Sequence, residues 1–107
     1  MQGLDQVANP PPHGRGLVSE YRRGADFERK VVLDYKARGW EAHRCTGSKG
    51  TYDIWAHKFG EVHIVQCKLT GRIGKAAKEQ LRMMAEENKF RAFIATNDKG
   101  TIVMEEL

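Results

Sequence analysis

Apolar positions change their spacing several times along the chain, and each change marks an element. Over residues 18–38, Phe27, Val31, Val32 and Tyr35 recur at three- and four-residue intervals, the period of a helix with one buried face. Gly39 stands where such a helix should stop, because a residue without Cβ accepts the left-handed conformation that ends helices. Strand character then appears over residues 40–44, 51–57 and, most strongly, 62–69. Lys58-Phe59-Gly60-Glu61 joins the last two as a hairpin turn, and a glycine-bearing loop, residues 46–50, separates the first two. Gly71 and Gly74 break the pattern, and helical spacing returns from Lys75 to Asn88 with Ala77, Leu81, Met84 and Ala85 on one face. Residues 91–96 and 101–105 read as two strands around an Asn97-Asp98-Lys99-Gly100 turn. The order αβββαββ predicts one α/β (α+β) domain built on a central mixed sheet. Residues 1–18 read as a flexible tail, since Pro10-Pro11-Pro12 lacks amide donors and Gly14 and Gly16 loosen the backbone after it. Residues 19–107 are left as the folded domain.

Composition narrows the class. A chain of 107 residues makes one domain, small enough to gain from oligomerisation. With 40% hydrophobic and 30% charged residues it reads as a soluble globular protein. No apolar run approaches the roughly 20 residues that cross a bilayer. The start, Met1-Gln2-Gly3-Leu4-Asp5, lacks the basic region and apolar stretch of a secretory signal. Cys45 and Cys67 suit the reduced thiols of an intracellular protein. His43, Cys45, His57, His63 and Cys67 are scattered without a Cys-x-x-Cys pair, which argues against a zinc centre. The formal net charge is +4, and its distribution says more than its size. Residues 15–49 carry nine Lys/Arg against five Asp/Glu, residues 68–82 five against one, and residues 83–107 three against five. Two basic segments suit a polyanionic partner, although a solvated surface with chance clustering gives the same counts.

The informative residues are polar ones that interrupt apolar patterns. In Val62-His63-Ile64-Val65-Gln66-Cys67-Lys68-Leu69 both faces are apolar at Ile64-Val65, which predicts a central strand. Gln66 and Lys68 nevertheless stand two apart on one face of it. An unpartnered buried ammonium is costly, so either the strand end reaches solvent or anionic groups wait nearby. Folding the hairpin brings Asp53 opposite that end. Asp53, the Gln66 side-chain oxygen and the Cys67 main-chain carbonyl are then candidate ligands for a hard cation such as Mg²⁺, which keeps several waters. Lys68 is placed to position, or accept a proton from, an attacking water. Glu28 lies on or beside the buried stripe of the first helix. It is either an ordinary first-turn glutamate favoured by the helix dipole or a further contact to the metal.

Four stretches in order resemble the archaeal-type Holliday junction resolvases of the PD-(D/E)xK nuclease superfamily. They are Tyr21-Arg22-Arg23-Gly24-Ala25-Asp26-Phe27-Glu28-Arg29, then Arg44-Cys45-Thr46-Gly47-Ser48-Lys49, then Asp53-Ile54, then Ile64-Val65-Gln66-Cys67-Lys68-Leu69-Thr70. The resemblance implies a restriction-endonuclease-like fold and a dimeric, Mg²⁺-dependent endonuclease, with Mn²⁺ as the substitute ion, that makes paired nicks in four-way DNA junctions. It implies catalytic roles for Glu28, Asp53, Gln66 and Lys68, with Ser48 beside the scissile phosphate. Arg22, Arg23, Arg29, Arg44, Lys49, Arg72 and Lys75 are the candidate DNA-binding cations, since guanidinium and ammonium groups match phosphate. It also implies a homodimer working on branched DNA inside the cell, with no membrane partner, in an archaeal, viral or phage source. The chain departs from the family at Gln66, where a glutamate is usual. An amide oxygen can ligate a cation but brings no charge.

Two other readings stay open. Another PD-(D/E)xK nuclease would cut flaps, ends or ordinary duplex. A DNA-binding module without catalysis is suggested by Gln66. Cys67 points away from Gln66 and Lys68 and has no histidine clearly paired with it, so a small buried side chain is expected rather than a nucleophile. Trp40, Trp55 and Phe93 read as core or dimer interface, and Met83-Met84 as helix packing.

Overall fold

The helical period set by Phe27, Val31, Val32 and Tyr35 becomes α1 (Arg15–Ala37), and all four side chains are buried. This is a computed structural model, which describes the backbone of residues 15–45 and 51–107 and the side chains of residues 22–45 and 51–107. The helix starts at Arg15, so residues 15–18, expected in the tail, belong to it. Gly16 does not prevent this, because first-turn amides have no intrahelical acceptor and little is lost by a weak helix former there. The rest of the expected tail, with Pro10, Pro11, Pro12 and Gly14, lies outside the described residues. The helix ends as Gly39 predicts. Gly39 takes φ +90°, its amide bonds to Lys36 O and the Trp40 amide bonds to Tyr35 O, each at 3.0 Å. Trp40 then packs edge-on against Tyr35, centroids 5.4 Å apart, the apolar contact that closes such helix ends.

Beyond the turn come β1 (Glu41–Arg44), β2 (Ile54–Lys58) and β3 (Glu61–Lys68), then α2 (Lys75–Asn88), β4 (Arg91–Asp98) and β5 (Thr101–Glu106). The expected αβββαββ order holds. The strands lie in the order β1-β2-β3-β4-β5, with β3 central as its two apolar faces required. Neighbours run antiparallel except β3 and β4, which are parallel. A parallel pair needs a long crossover, and α2 supplies it. Alternation along the strands sends Ile54, Ala56, Val65 and Ala95 to the α1 face, where they pack with Phe27, Val31 and Tyr35. Ile64, Ala92 and Ile94 point the other way and pack under Leu81 and Ala85 of α2. The helices therefore cover opposite faces of one sheet. No glycine follows Asn88 directly, yet α2 ends in the same way as α1, with Lys89 held at φ +59° and the Phe90 amide bonded to Ala85 O at 2.8 Å.

At the end of the sheet where β3 begins, a polar chain crosses the core. His63 is 7% exposed and lies between Trp40 and Phe93. Its Nε2 is 2.7 Å from Glu61 Oε2, and its Nδ1 is 3.0 Å from the Tyr35 hydroxyl. A carboxylate only accepts, so Nε2 carries the proton and Nδ1 accepts from Tyr35. Arg91 donates to Glu61 and to both oxygens of Glu106. Burial pushes the His63 pKa below its ordinary 6.5, although Glu61 pulls it up. Hydrogen bonds from His63 and then Arg91 lower that of Glu61. Below pH 6.5 the unfolded chain then binds more protons than the native one at position 63, so stability falls as pH falls. Glu61 acts in the same direction, its contribution present above 4.5 and lost on acidification. Denaturant midpoints measured from neutral pH downward should decline, and His63→Leu should flatten the part of that decline just below pH 6.5. A wild-type midpoint that is level or rises on acidification would contradict this assignment.

Candidate active site

The other end of β3 carries the polar residues that break its apolar pattern. Gln66 and Lys68 share the α2 face with Ile64, and the Ile54–Val65 pairing sets the residue before β2, Asp53, opposite Gln66. Asp53 remains tied into the sheet. Its amide bonds to Val65 O and its carbonyl accepts from Cys45 N, both at 2.8 Å. Its carboxylate is held by β3, with Oδ2 accepting from Gln66 Nε2 at 3.0 Å and from the Cys67 amide at 2.9 Å. The sequence suggested that Gln66 would offer its oxygen to a cation and Cys67 its carbonyl. Toward Asp53, Gln66 turns its nitrogen rather than its oxygen, and the Cys67 contact is made by the amide, which leaves the Cys67 carbonyl a candidate ligand.

Glu28 reaches the same end of the sheet from α1. Its Oε1 is 3.0 Å from Arg44 Nε, and the two side chains are 24% and 25% exposed. The Cys67 side chain lies on the α1 side beside that core. Burial drives its thiol pKa far up, the charges of Asp53 and Glu28 add to the rise, and Arg44 partly offsets it. Both carboxylates therefore act on one residue at the end of β3, and the thiol stays protonated, as expected of a packing group. Cys45 is likewise free and raised by burial and by Asp53. Among the described residues no three His, Cys, Asp or Glu side chains form a metal-binding group. The acidic candidates here are two, Glu28 and Asp53, as the Gln66 departure implies.

Lys68 is exposed and opens into a cleft of about 320 Å³ that it lines with Gln66, Thr51, Arg72, Ile73 and Gly74. Gly74 is the N-cap of α2 and gives no side-chain cap, so the cleft ends on amide groups as well as cations. Arg22, Arg23, Arg72 and Lys75 are exposed. Arg23 and Lys30 line a second groove with Leu69, and Lys30 Nζ donates to Gly100 O in the β4–β5 turn. That turn, the end of β3 and the start of α2 lie at one end of the sheet, so these cations share it with Asp53. The far end carries Glu61 and Glu106 around Arg91. Arg29 is paired with Asp26 at 2.6 Å and Arg44 with Glu28, each through one guanidinium nitrogen, so each has further donors for a phosphate but its charge is partly offset. Ser48 and Lys49 lie outside the described residues. Sequence reasoning missed Lys30, for which the Arg29-Lys30 pair was the only signal, and Thr51, for which there was none.

Among the described residues no helix is long and apolar enough to cross a membrane. No curated protein sequence matches the chain. Among solved structures it is similar to Archaeoglobus fulgidus Hjc, a Holliday junction resolvase from an archaeal hyperthermophile. The TM-score is 0.67 at 20% identity, covering 78% of this chain and 72% of that one. At that identity the likeness speaks for the fold. The family model described as archaeal Holliday junction resolvase (hjc) matches residues 19–105. The chain therefore belongs to the archaeal Holliday junction resolvase family, whose activity, endonucleolytic resolution of Holliday junctions, is the one the ordered sequence motifs pointed to.

Proposed function

We propose that this chain resolves four-way DNA junctions inside the cell as a homodimer, one site per protomer, by Mg²⁺-dependent hydrolysis of one phosphodiester in each of two opposed strands. The observation that carries the reading is Asp53, Gln66 and Lys68 gathered at the end of the central strand, with the Glu28–Arg44 pair beside them. The donor set suits a hard divalent ion. Glu28 and Asp53 offer carboxylate oxygens, the Cys67 carbonyl is a third candidate, and an ion that keeps its waters needs few protein ligands. Bound there, such an ion would draw charge from the scissile phosphate and make water a better nucleophile. The chain does the rest. Lys68 positions the attacking water and meets negative charge developing on the phosphate. Arg44 and Arg29, with Ser48, orient that phosphate. Arg22, Arg23, Lys49, Arg72 and Lys75 hold the flanking backbone, where contacts fix register rather than read sequence. Two cuts need two sites, and a two-fold dimer presents them in matching orientation.

A second reading, junction binding without cleavage, has Gln66 in its favour, since one negative charge is missing. One experiment separates them. A synthetic four-way junction should be cut with Mg²⁺ or Mn²⁺ and left whole in EDTA, by a species that light scattering places at twice the 12.1 kDa chain mass. Cutting that persists in EDTA contradicts the metal, and a monomer at assay concentration contradicts the dimer. A whole junction in both metals leaves a binding module.

A further inference from the structure

Each carboxylate at this site already has an internal partner. Glu28 has the Arg44 guanidinium. Asp53 has two donors on one oxygen, the Gln66 amide at 3.0 Å and the Cys67 amide at 2.9 Å, while Oδ1 accepts nothing among the described residues. The second donor is main chain and belongs to any residue at position 67. The first depends on position 66 being an amide. A glutamate there would set two carboxylates about 3 Å apart, where they repel and cannot both stay charged without a cation between them. Gln66 removes that conflict and replaces it with a hydrogen bond.

We infer that Gln66 is a positioning residue: through Nε2 it clamps Asp53 Oδ2, orders the carboxylate before any ion arrives, and directs Oδ1 to the ligand role. The inference rests on the reading of Asp53 as a metal-binding group. It makes the departure from the usual glutamate a trade. The site gives up one negative charge, and so some affinity for the ion, and in return its carboxylate is held in place when no metal is bound. Turning the amide to ligate through Oε1 would break the bond to Asp53, so the two roles compete.

The test uses the full chain without DNA, with metal alone as the probe. In EDTA, Gln66→Glu should lower the thermal midpoint by about 4–8 °C, the shift that one repulsive contact produces in a domain of this size. Saturating Mg²⁺ should close that gap, and calorimetry should show the variant binding Mg²⁺ about tenfold more tightly than wild type, since ligand charge tunes affinity for a hard cation. Gln66→Met, which neither donates nor repels, should also lower the midpoint in EDTA, but Mg²⁺ should not restore it. A Gln66→Glu protein as stable as wild type in EDTA, or a Gln66→Met protein whose gap to wild type Mg²⁺ closes as fully as that of Gln66→Glu, overturns the clamp. Because no DNA is present, these outcomes are independent of junction cleavage. A wild-type protein that fails to cut junctions would remove the proposed function and leave the clamp standing.

Discussion

Lys68→Ala should reduce junction cleavage by about 10²–10⁴-fold, the usual contribution of a group that handles a proton or charge at the reacting centre. Junction affinity should change little. Lys68 is exposed, so its loss creates no cavity and leaves no buried group unpaired, and the fold should survive within about 0.5 kcal/mol. The rest of the basic end of the sheet, Arg22, Arg23, Arg72 and Lys75, stays in place to hold the backbone. Asp53→Ala should abolish cleavage as completely, but it is the less clean experiment. It removes the acceptor of both the Gln66 amide and the Cys67 N–H and so costs stability as well. Single-turnover cleavage and junction binding in EDTA, measured on the same Lys68→Ala preparation, separate chemistry from binding. Cleavage near the wild-type rate by that folded protein would remove Lys68 from the site.

The second large effect is on affinity. Junction binding should weaken by about 10³–10⁵-fold between 50 and 200 mM salt if a dimer neutralises roughly six to ten phosphates, because each neutralised phosphate releases condensed counterions. The charge distribution supports that number. Arg22, Arg23, Arg72 and Lys75 are exposed toward one end of the sheet, and a two-fold dimer doubles them. Arg29 and Arg44 add less, since each already has a carboxylate partner. Glu61 and Glu106 lie at the opposite end, where they cannot oppose the DNA directly. Replacing Arg72 or Lys75 by alanine should lower the salt slope in a binding titration by about one for each phosphate left without its cation. A slope that stays shallow in the wild type would mean that binding does not run through these cations.

Much of this was readable in the chain itself. Phe27, Val31, Val32 and Tyr35 announced α1 and its buried face, and Gly39 announced its end, because helix period and left-handed caps are local properties. Ile64-Val65 beside Gln66 and Lys68 announced a central strand with chemistry at one end, because period-two alternation assigns faces without knowledge of neighbours. Two things were hidden. The start of α1 at Arg15 was masked by Gly14 and Gly16, which read as loop, although a glycine costs little in a first turn. The orientation of the Gln66 amide depends on which group Asp53 presents to it across the hairpin. Spacing places the two residues opposite each other but does not say which end of the amide turns inward.

The most direct test of a dimeric resolvase is the fate of a four-way junction whose strands are labelled one at a time, incubated with Mg²⁺ beside a linear duplex of the same sequence. Two opposed strands should be cut at symmetry-related positions, the other two left intact, and the linear duplex spared at the same protein concentration. Equal cutting of linear duplex and junction, or cuts without pairing across opposed strands, would contradict that assignment and leave a nuclease without junction specificity.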